Sequence, residues 1–145
     1  MTSEPAYQAL FLGAGPHMQC GVGHFTRLLQ DTVEKLEPGS CTSLTLTRSE
    51  GSPAAIWGAV GSARSVVCNF PIVAWKRVIV RPLLALAIAR LRRRRVVLIQ
   101  HEWGGLHWLR RITYIPALLF ANTIVMFSPL VRQELADDPL EIGRA

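Results

Sequence analysis

Short apolar runs separated by helical patterns constrain the fold of this chain more than any other feature. Five runs are rich in apolar and β-branched side chains, and glycine, proline or polar residues bound them, which is typical of strands in a sheet. We predict strands over residues 7–13, 41–47, 65–69, 96–100 and 123–127. These runs are too short for buried helices, so a sheet is the core of the expected fold.

Helical patterns fill the segments between the runs. We predict helices over residues 23–36, 53–60 and 82–91, within residues 108–120, and over residues 129–135. Residues 83–89 are apolar on every side, which predicts that this helix packs in the interior. Alternation of strands and helices predicts an α/β fold, a Rossmann-like parallel sheet of about five strands with helices on both faces, and residues 1–145 as a single domain.

In such sheets, ligands bind beyond the carboxyl ends of the strands. Residues 13–15 (Gly-Ala-Gly), Asn69, His101 and Ser128 end or follow predicted strands, so we expect them to gather at this edge. The sequence therefore predicts where a site lies before it predicts what the site binds.

Composition favours a reduced, folded protein. Half of the residues are hydrophobic and 18% are charged, which argues for a packed core and against disorder. Cys20, Cys41 and Cys68 are odd in number and widely spaced, so neither a disulfide framework nor a zinc site is expected. The N-terminus lacks the basic region of a signal peptide, and we expect a cytoplasmic location.

The net charge of +6 is concentrated in one segment. Residues 76–111 carry ten Lys and Arg against the single acid Glu102, whereas the rest of the chain carries six bases against nine acids. Such a patch favours phosphates or an anionic lipid surface, and the alternative is a solvated helix end. Nucleic acid is not an expected partner, because no reading motif or interleaved aromatic residue accompanies the arginines. The candidate patch consists of Arg90, Arg92, Arg93, Arg94 and Arg95.

One stretch allows a membrane alternative. Residues 112–131 are twenty consecutive uncharged residues, long enough to span a bilayer. Pro116, Asn122 and Pro129 interrupt it, however, and a helix followed by a strand accounts for these breaks without placing polar groups in lipid. We therefore expect no membrane span.

A glycine pair in residues 20–29, CGVGHFTRLL, follows the first strand and leads into a helix, an arrangement that suits a phosphate. A dinucleotide fingerprint begins well at Gly13 and Gly15 but has Met18 at its third glycine position, and the helix begins several residues late. A nucleoside-triphosphate P-loop is excluded, because no Gly-Lys-Ser/Thr follows the glycines. Arg48 keeps an NADP-dependent oxidoreductase fragment as an alternative.

Three motifs occur in a meaningful order: GVGHFTRLL at residues 21–29, VVLIQHEW at residues 96–103 and VMFSPLVRQEL at residues 125–135. Together with the first strand they resemble the N-terminal half of a GT-B glycosyltransferase, most like family 4, over about residues 8–136. The resemblance implies a nucleotide-sugar donor as substrate, no cofactor, and a carbohydrate or lipid-linked acceptor, with the arginine patch at an anionic membrane surface on the inner face.

The resemblance also assigns roles to residues. It implies that His101 is catalytic, with a hydrogen bond to the donor sugar or the departing phosphate, and that a cleft loop faces the donor phosphates. That loop consists of Gly21, Val22, Gly23 and His24. Possible acceptor or cleft residues are Glu102, Asn69 and Ser128.

Each assignment has a structural alternative. In the alternatives, the glycines serve only a tight turn with positive φ, and His101 caps a loop. A zinc reading of His101 and His107 fails, because these residues are six apart across two glycines. No metal is expected.

The family binds its donor mainly through a second domain that carries an E-x7-E motif, and this sequence contains no such motif. The resemblance therefore implies an acceptor-side domain that is inactive alone and needs the second domain in cis or in trans. A basic Rossmann-like binding module without catalysis remains the non-enzymatic alternative.

Overall fold

The computed structural model describes residues 5–13, 21–46, 51–69, 80–101, 103 and 108–137. Strands and helices alternate along these residues, as the sequence predicts. In chain order the elements are β1 Tyr7–Gly13, α1 Gly21–Leu36, β2 Cys41–Thr45, α2 Pro53–Gly61, β3 Ala63–Cys68, α3 Val80–Leu91, β4 Arg95–Gln100, α4 Trp108–Phe120, β5 Thr123–Met126 and α5 Pro129–Ala136.

The five strands form one parallel sheet in the order β2-β1-β3-β4-β5. This confirms the predicted Rossmann-like α/β fold. The chain leaves β1 toward β2 and then crosses back to β3 on the other side of β1. The direction of winding therefore reverses at β1, which places a crevice between the carboxyl ends of β1 and β3, where ligands of open α/β sheets bind.

Side chains of one sheet face and three helices form the main core. In the paired strands, Leu10 of β1 lies beside Val66 of β3, and Val66 lies beside Val96 of β4; all three side chains are buried. Helix α3 packs between α2 and α4 and buries Ala85 and Leu86 completely. The prediction that the apolar segment of α3 lies in the interior is thereby confirmed.

The twenty uncharged residues from 112 to 131 contain most of α4, all of β5 and the start of α5. Asn122 sets the break between α4 and β5: its side-chain oxygen accepts a hydrogen bond from Val96 N–H at 2.8 Å, and its own N–H donates to Val96 O at 2.8 Å. Among the described residues, no helix is long and apolar enough to cross a membrane.

Predicted and observed elements differ mainly at their ends. Helix α1 begins at Gly21 instead of residue 23, and α3 begins at Val80 instead of Pro82. Strand β3 begins at Ala63, because Ala63 pairs with Tyr7 of β1 and the neighbouring strand extends the ladder beyond the apolar run. The prediction for β2 extends to Thr47, which lies outside the described residues, and the observed strand ends at Thr45.

Candidate functional site

The carboxyl edge of the sheet brings several of the predicted residues together. Asn69 follows β3, His101 follows β4 and Ser128 lies just beyond β5, while Gly13 ends β1. All strands are parallel, so these positions share one edge, as predicted. Ala14 and Gly15 lie outside the described residues.

Three side chains form a hydrogen-bonded chain at this edge. Nε2 of His101 lies 2.7 Å from Oδ1 of Asn69. Nδ2 of Asn69 donates to Oγ1 of Thr26 at 2.7 Å and approaches the Val22 carbonyl oxygen at 3.4 Å. The Thr26 hydroxyl donates in turn to the same Val22 oxygen at 2.9 Å. The chain therefore joins β3 and β4 to the first turns of α1.

This network determines the direction of the hydrogen bond at His101. The Val22 carbonyl oxygen can only accept, so the Asn69 group beside it is the amide nitrogen, and Oδ1 faces the histidine. Because Oδ1 also only accepts, Nε2 of His101 carries a hydrogen and donates it. Asn69 is 2% exposed, and burial of an amide with its partners in place fixes this arrangement.

Two phenylalanines hold the imidazole ring from other directions. The ring of Phe127 stacks on His101 with centroids 4.6 Å apart and an interplanar angle of 15°. Phe25 of α1 contacts Phe127 edge to face at 4.7 Å and lies 6.1 Å from His101. The ladder pairs Ile99 with Val125, so the next residues on the same face of β4 and β5 are His101 and Phe127.

The glycine pair lies in the first turn of α1, not in a turn that precedes the helix. Gly23 is helical, so a positive φ does not explain its presence. The first N–H groups of an α-helix have no partners within the helix, and Gly21, Val22 and Gly23 thus place three donors beside the carboxyl edge. The side chain of His24 is exposed.

The two remaining cleft candidates differ in what the structure shows. Oγ of Ser128 accepts a hydrogen bond from Leu130 N–H at 3.1 Å, so Ser128 caps the start of α5. Glu102 lies outside the described residues. Its neighbour Trp103 is 1% exposed and packs beside Tyr114 of α4, with ring centroids 6.4 Å apart.

The arginine patch lies at the opposite, amino-terminal edge of the sheet. Strand β4 runs from Arg95 to Gln100, so the patch and His101 are separated by a six-residue strand, roughly 20 Å. The guanidinium group of Arg92 stacks over the Trp57 ring at 4.1 Å, and a nitrogen of Arg94 donates to Gly61 O at 2.8 Å. The fold therefore does not bring the patch and the candidate catalytic histidine into one site.

Sequence reasoning missed Thr26, Phe25 and Phe127. A signal for the first two was available, because Phe25 and Thr26 lie three and four residues after Val22 and thus share one side of α1 with it. The position of Phe127 on the same sheet face as His101 follows from the alternation of side chains along a strand, once β4 and β5 are known to be neighbours. Their contacts with Asn69 and His101, however, require the strand order, which is a tertiary property.

Among the described residues, no group of three or more His, Cys, Asp or Glu side chains is placed to hold a metal ion. Comparison with known proteins adds no assignment: no protein-family model, curated protein or solved structure matches this chain.

Proposed function

We propose that this chain is the acceptor-side domain of a nucleotide-sugar-dependent glycosyltransferase, with His101 at the reacting centre. The observation that carries the proposal is the fixed imidazole of His101, held by Asn69 and Phe127 beside the first turn of α1. The order of the three sequence motifs supports it, because all three meet at the carboxyl edge of the sheet.

In this proposal, His101 stabilises negative charge as the glycosidic bond to the donor phosphate breaks. Nε2 donates to Asn69, so the other ring nitrogen of the neutral imidazole carries no hydrogen. The charge-stabilising role is therefore assigned to the imidazolium form of His101, in which both ring nitrogens are donors. A hydrogen-bond donor that is already oriented before the reaction stabilises developing charge without reorganisation in the transition state. Asn69 acts as a positioning residue, because it contacts His101 and not the substrate.

The first turn of α1 supplies the second part of the site. Its N–H groups at residues 21–23 and the positive end of the helix dipole favour a phosphate group of the donor. The exposed side chain of His24 lies in the same turn and adds a further group for the phosphate. The sugar nucleotide is then held mainly by a second domain in cis or in trans, and a carbohydrate or lipid-linked acceptor enters from this domain.

A nuclear magnetic resonance titration tests the proposal. The ¹⁵N-labelled chain is titrated with UDP-glucose, GDP-mannose and NADP⁺ at millimolar concentrations. We expect one of the two nucleotide-sugars to shift the amide signals of residues 22–24 and the ring signals of His101. We expect His101→Gln to weaken that binding by about tenfold, because a hydrogen bond to a charged group is lost.

The control variant is Gln133→Ala, which changes an exposed polar side chain of α5. It should bind as the wild type does. Shifts of the same signals with NADP⁺ but not with either nucleotide-sugar would replace the proposal with the oxidoreductase alternative. Equal binding by wild type and His101→Gln would remove His101 from the site.

A further inference from the structure

A cavity of about 330 Å³ opens at the amino-terminal edge of the sheet, where α3 ends and β4 and β5 begin. Its size is within the range of small-molecule sites in proteins. We call it the arginine pocket. The lining residues are Arg90, Arg93, Arg94, Arg95 and Asn122.

The polar groups of this pocket are poorly satisfied by the protein itself. Among the described residues, no carboxylate pairs with the guanidinium groups of Arg90, Arg93 or Arg95. Nε of Arg94 is buried without a hydrogen-bond partner, although another nitrogen of that side chain binds Gly61 O. Asn122 uses its side-chain oxygen on Val96 N–H, so its amide nitrogen is a remaining donor. The described side chains of the pocket thus offer hydrogen-bond donors and positive charge and include no carboxylate.

The backbone at Arg93 has an unusual conformation that supports a role for its side chain. Arg93 has φ 56°, in the left-handed region that favours glycine. Its N–H donates to Arg90 O at 3.0 Å and the next N–H, of Arg94, donates to Ala89 O at 2.8 Å, which is the pattern of a Schellman cap. Glycine is the usual residue at this position of the cap, and the chain has an arginine that lines the pocket instead.

A helix-dipole role does not account for the whole cluster. One cation near the carboxyl end of α3 would satisfy the dipole, whereas several guanidinium groups around one cavity repel each other. Arg92 shows the alternative use of an arginine in this run, because it stacks on Trp57 and does not line the pocket. A bound polyanion would remove the repulsion among the others.

We propose that the arginine pocket binds a phosphate-bearing anion, either a phosphomonoester or a diphosphate, as a second site separate from His101. Guanidinium groups bind phosphate oxygens by paired, charge-assisted hydrogen bonds, and Asn122 adds a neutral donor. The ligand is a free phosphate compound or a phosphorylated lipid headgroup, which share this chemistry. The proposal does not depend on the glycosyltransferase assignment, because no residue is common to the two sites.

Thermal unfolding measures binding of the free anions. At constant ionic strength, pyrophosphate and inositol hexakisphosphate should raise the melting temperature of the wild-type chain well above its value in chloride. Pyrophosphate affinity, measured by calorimetry, should fall by about tenfold or more in Arg95→Gln. The charge-matched control is Arg132→Gln, on exposed α5, which should bind as the wild type does.

A second variant separates binding from folding. Arg93→Gly removes a pocket side chain and places glycine at a positive φ, so it should unfold at a higher urea concentration than the wild type and still bind pyrophosphate more weakly. If Arg93→Gly is more stable and binds pyrophosphate more weakly, damage to the fold cannot explain the weaker binding.

Vesicle sedimentation distinguishes the two sources of phosphate. Phosphatidylcholine vesicles carry either phosphatidylinositol 4-phosphate or phosphatidylserine at equal surface charge. Binding to the first alone indicates a headgroup ligand, and binding to neither, with pyrophosphate still bound, indicates a free compound. The proposal is overturned if both vesicles bind equally while pyrophosphate has no effect, if a single-stranded oligonucleotide binds more tightly than pyrophosphate, or if Arg132→Gln loses as much affinity as Arg95→Gln.

Discussion

Oδ1 of Asn69 accepts a hydrogen bond from Nε2 of His101 at 2.7 Å, and this bond joins the ends of two neighbouring strands. The two residues are 32 positions apart in sequence. Asn69 is buried and His101 is partly exposed, so the bond connects the interior to the edge of the sheet. It gives the imidazole one orientation and one protonated nitrogen, which is the property that a catalytic or ligand-binding histidine requires.

The bond predicts a detectable proton on His101. Because Nε2–H is held by a buried amide, we expect its proton to exchange slowly enough to appear in the nuclear magnetic resonance spectrum, coupled to Nε2. Asn69→Ala should abolish this signal. A protonated Nδ1 with bare Nε2 in the neutral wild-type ring would contradict the direction of the hydrogen bond.

Thr26 predicts a difference between two threonines of α1. Thr26 and Thr32 both donate to the carbonyl four residues earlier, at 2.9 and 2.7 Å, but only Thr26 also accepts from Asn69. We expect Thr26→Val to lower the free energy of unfolding by about 1–2 kcal/mol, because the Asn69 amide loses an acceptor. The control Thr32→Val, at an exposed position, should stay within about 0.5 kcal/mol of the wild type. Urea denaturation measures both.

The described cysteines are predicted to react slowly. Burial raises the pKa of the Cys41 thiol to about 11, with help from the adjacent Glu34 carboxylate, and burial alone raises the pKa of Cys68 to about 12. A higher pKa means less thiolate, so at pH 8 Cys41 should alkylate about a hundredfold more slowly than a free thiol and Cys68 more slowly still. The rate at Cys41 should rise with pH up to about 11.

Glu34 supplies the control for this prediction. Its carboxylate accepts hydrogen bonds from Gly39 N–H and the Cys41 thiol, which lower the pKa of Glu34 and keep it ionised at neutral pH. Glu34→Gln removes this charge and should speed alkylation of Cys41 while leaving Cys68 unchanged. Mass spectrometry of a Cys20→Ser background measures the two sites separately. Unchanged Cys41 kinetics in Glu34→Gln would show that the carboxylate has no effect on the thiol.

Two glycines, one in the turn after α1 and one inside α2, are predicted to change the free energy of unfolding in opposite directions when replaced by alanine. Gly39 has φ 74° and Ser40 N–H donates to Glu37 O at 3.1 Å, as in a type II turn with Pro38 at its second position. Gly39→Ala should destabilise the fold by about 1 kcal/mol. Gly58, inside α2 with no atom near its would-be Cβ, should tolerate alanine or gain up to about 1 kcal/mol. Equal effects in urea denaturation would contradict this account.

Much of the fold follows from local patterns. All ten described elements were predicted, because strand and helix periodicity depends on residues close in sequence. The sequence also predicted that Asn69 and His101 share an edge, since parallel strands end together. It placed the start of α1 at Gly23 and did not predict the helical state of Gly21, because glycine is compatible with both a turn and the first turn of a helix.

The sequence by itself determined the class of the fold, the position of each element and the residues at the carboxyl edge. The tertiary structure decided which of them touch: Asn69 reaches Thr26 across 43 residues only because β1 lies at the switch in strand order. It also placed Arg92 of the arginine run against Trp57 and its neighbours in that run around the arginine pocket. Periodicity reports which side of an element is buried, whereas contacts between distant side chains depend on how the elements are arranged in space.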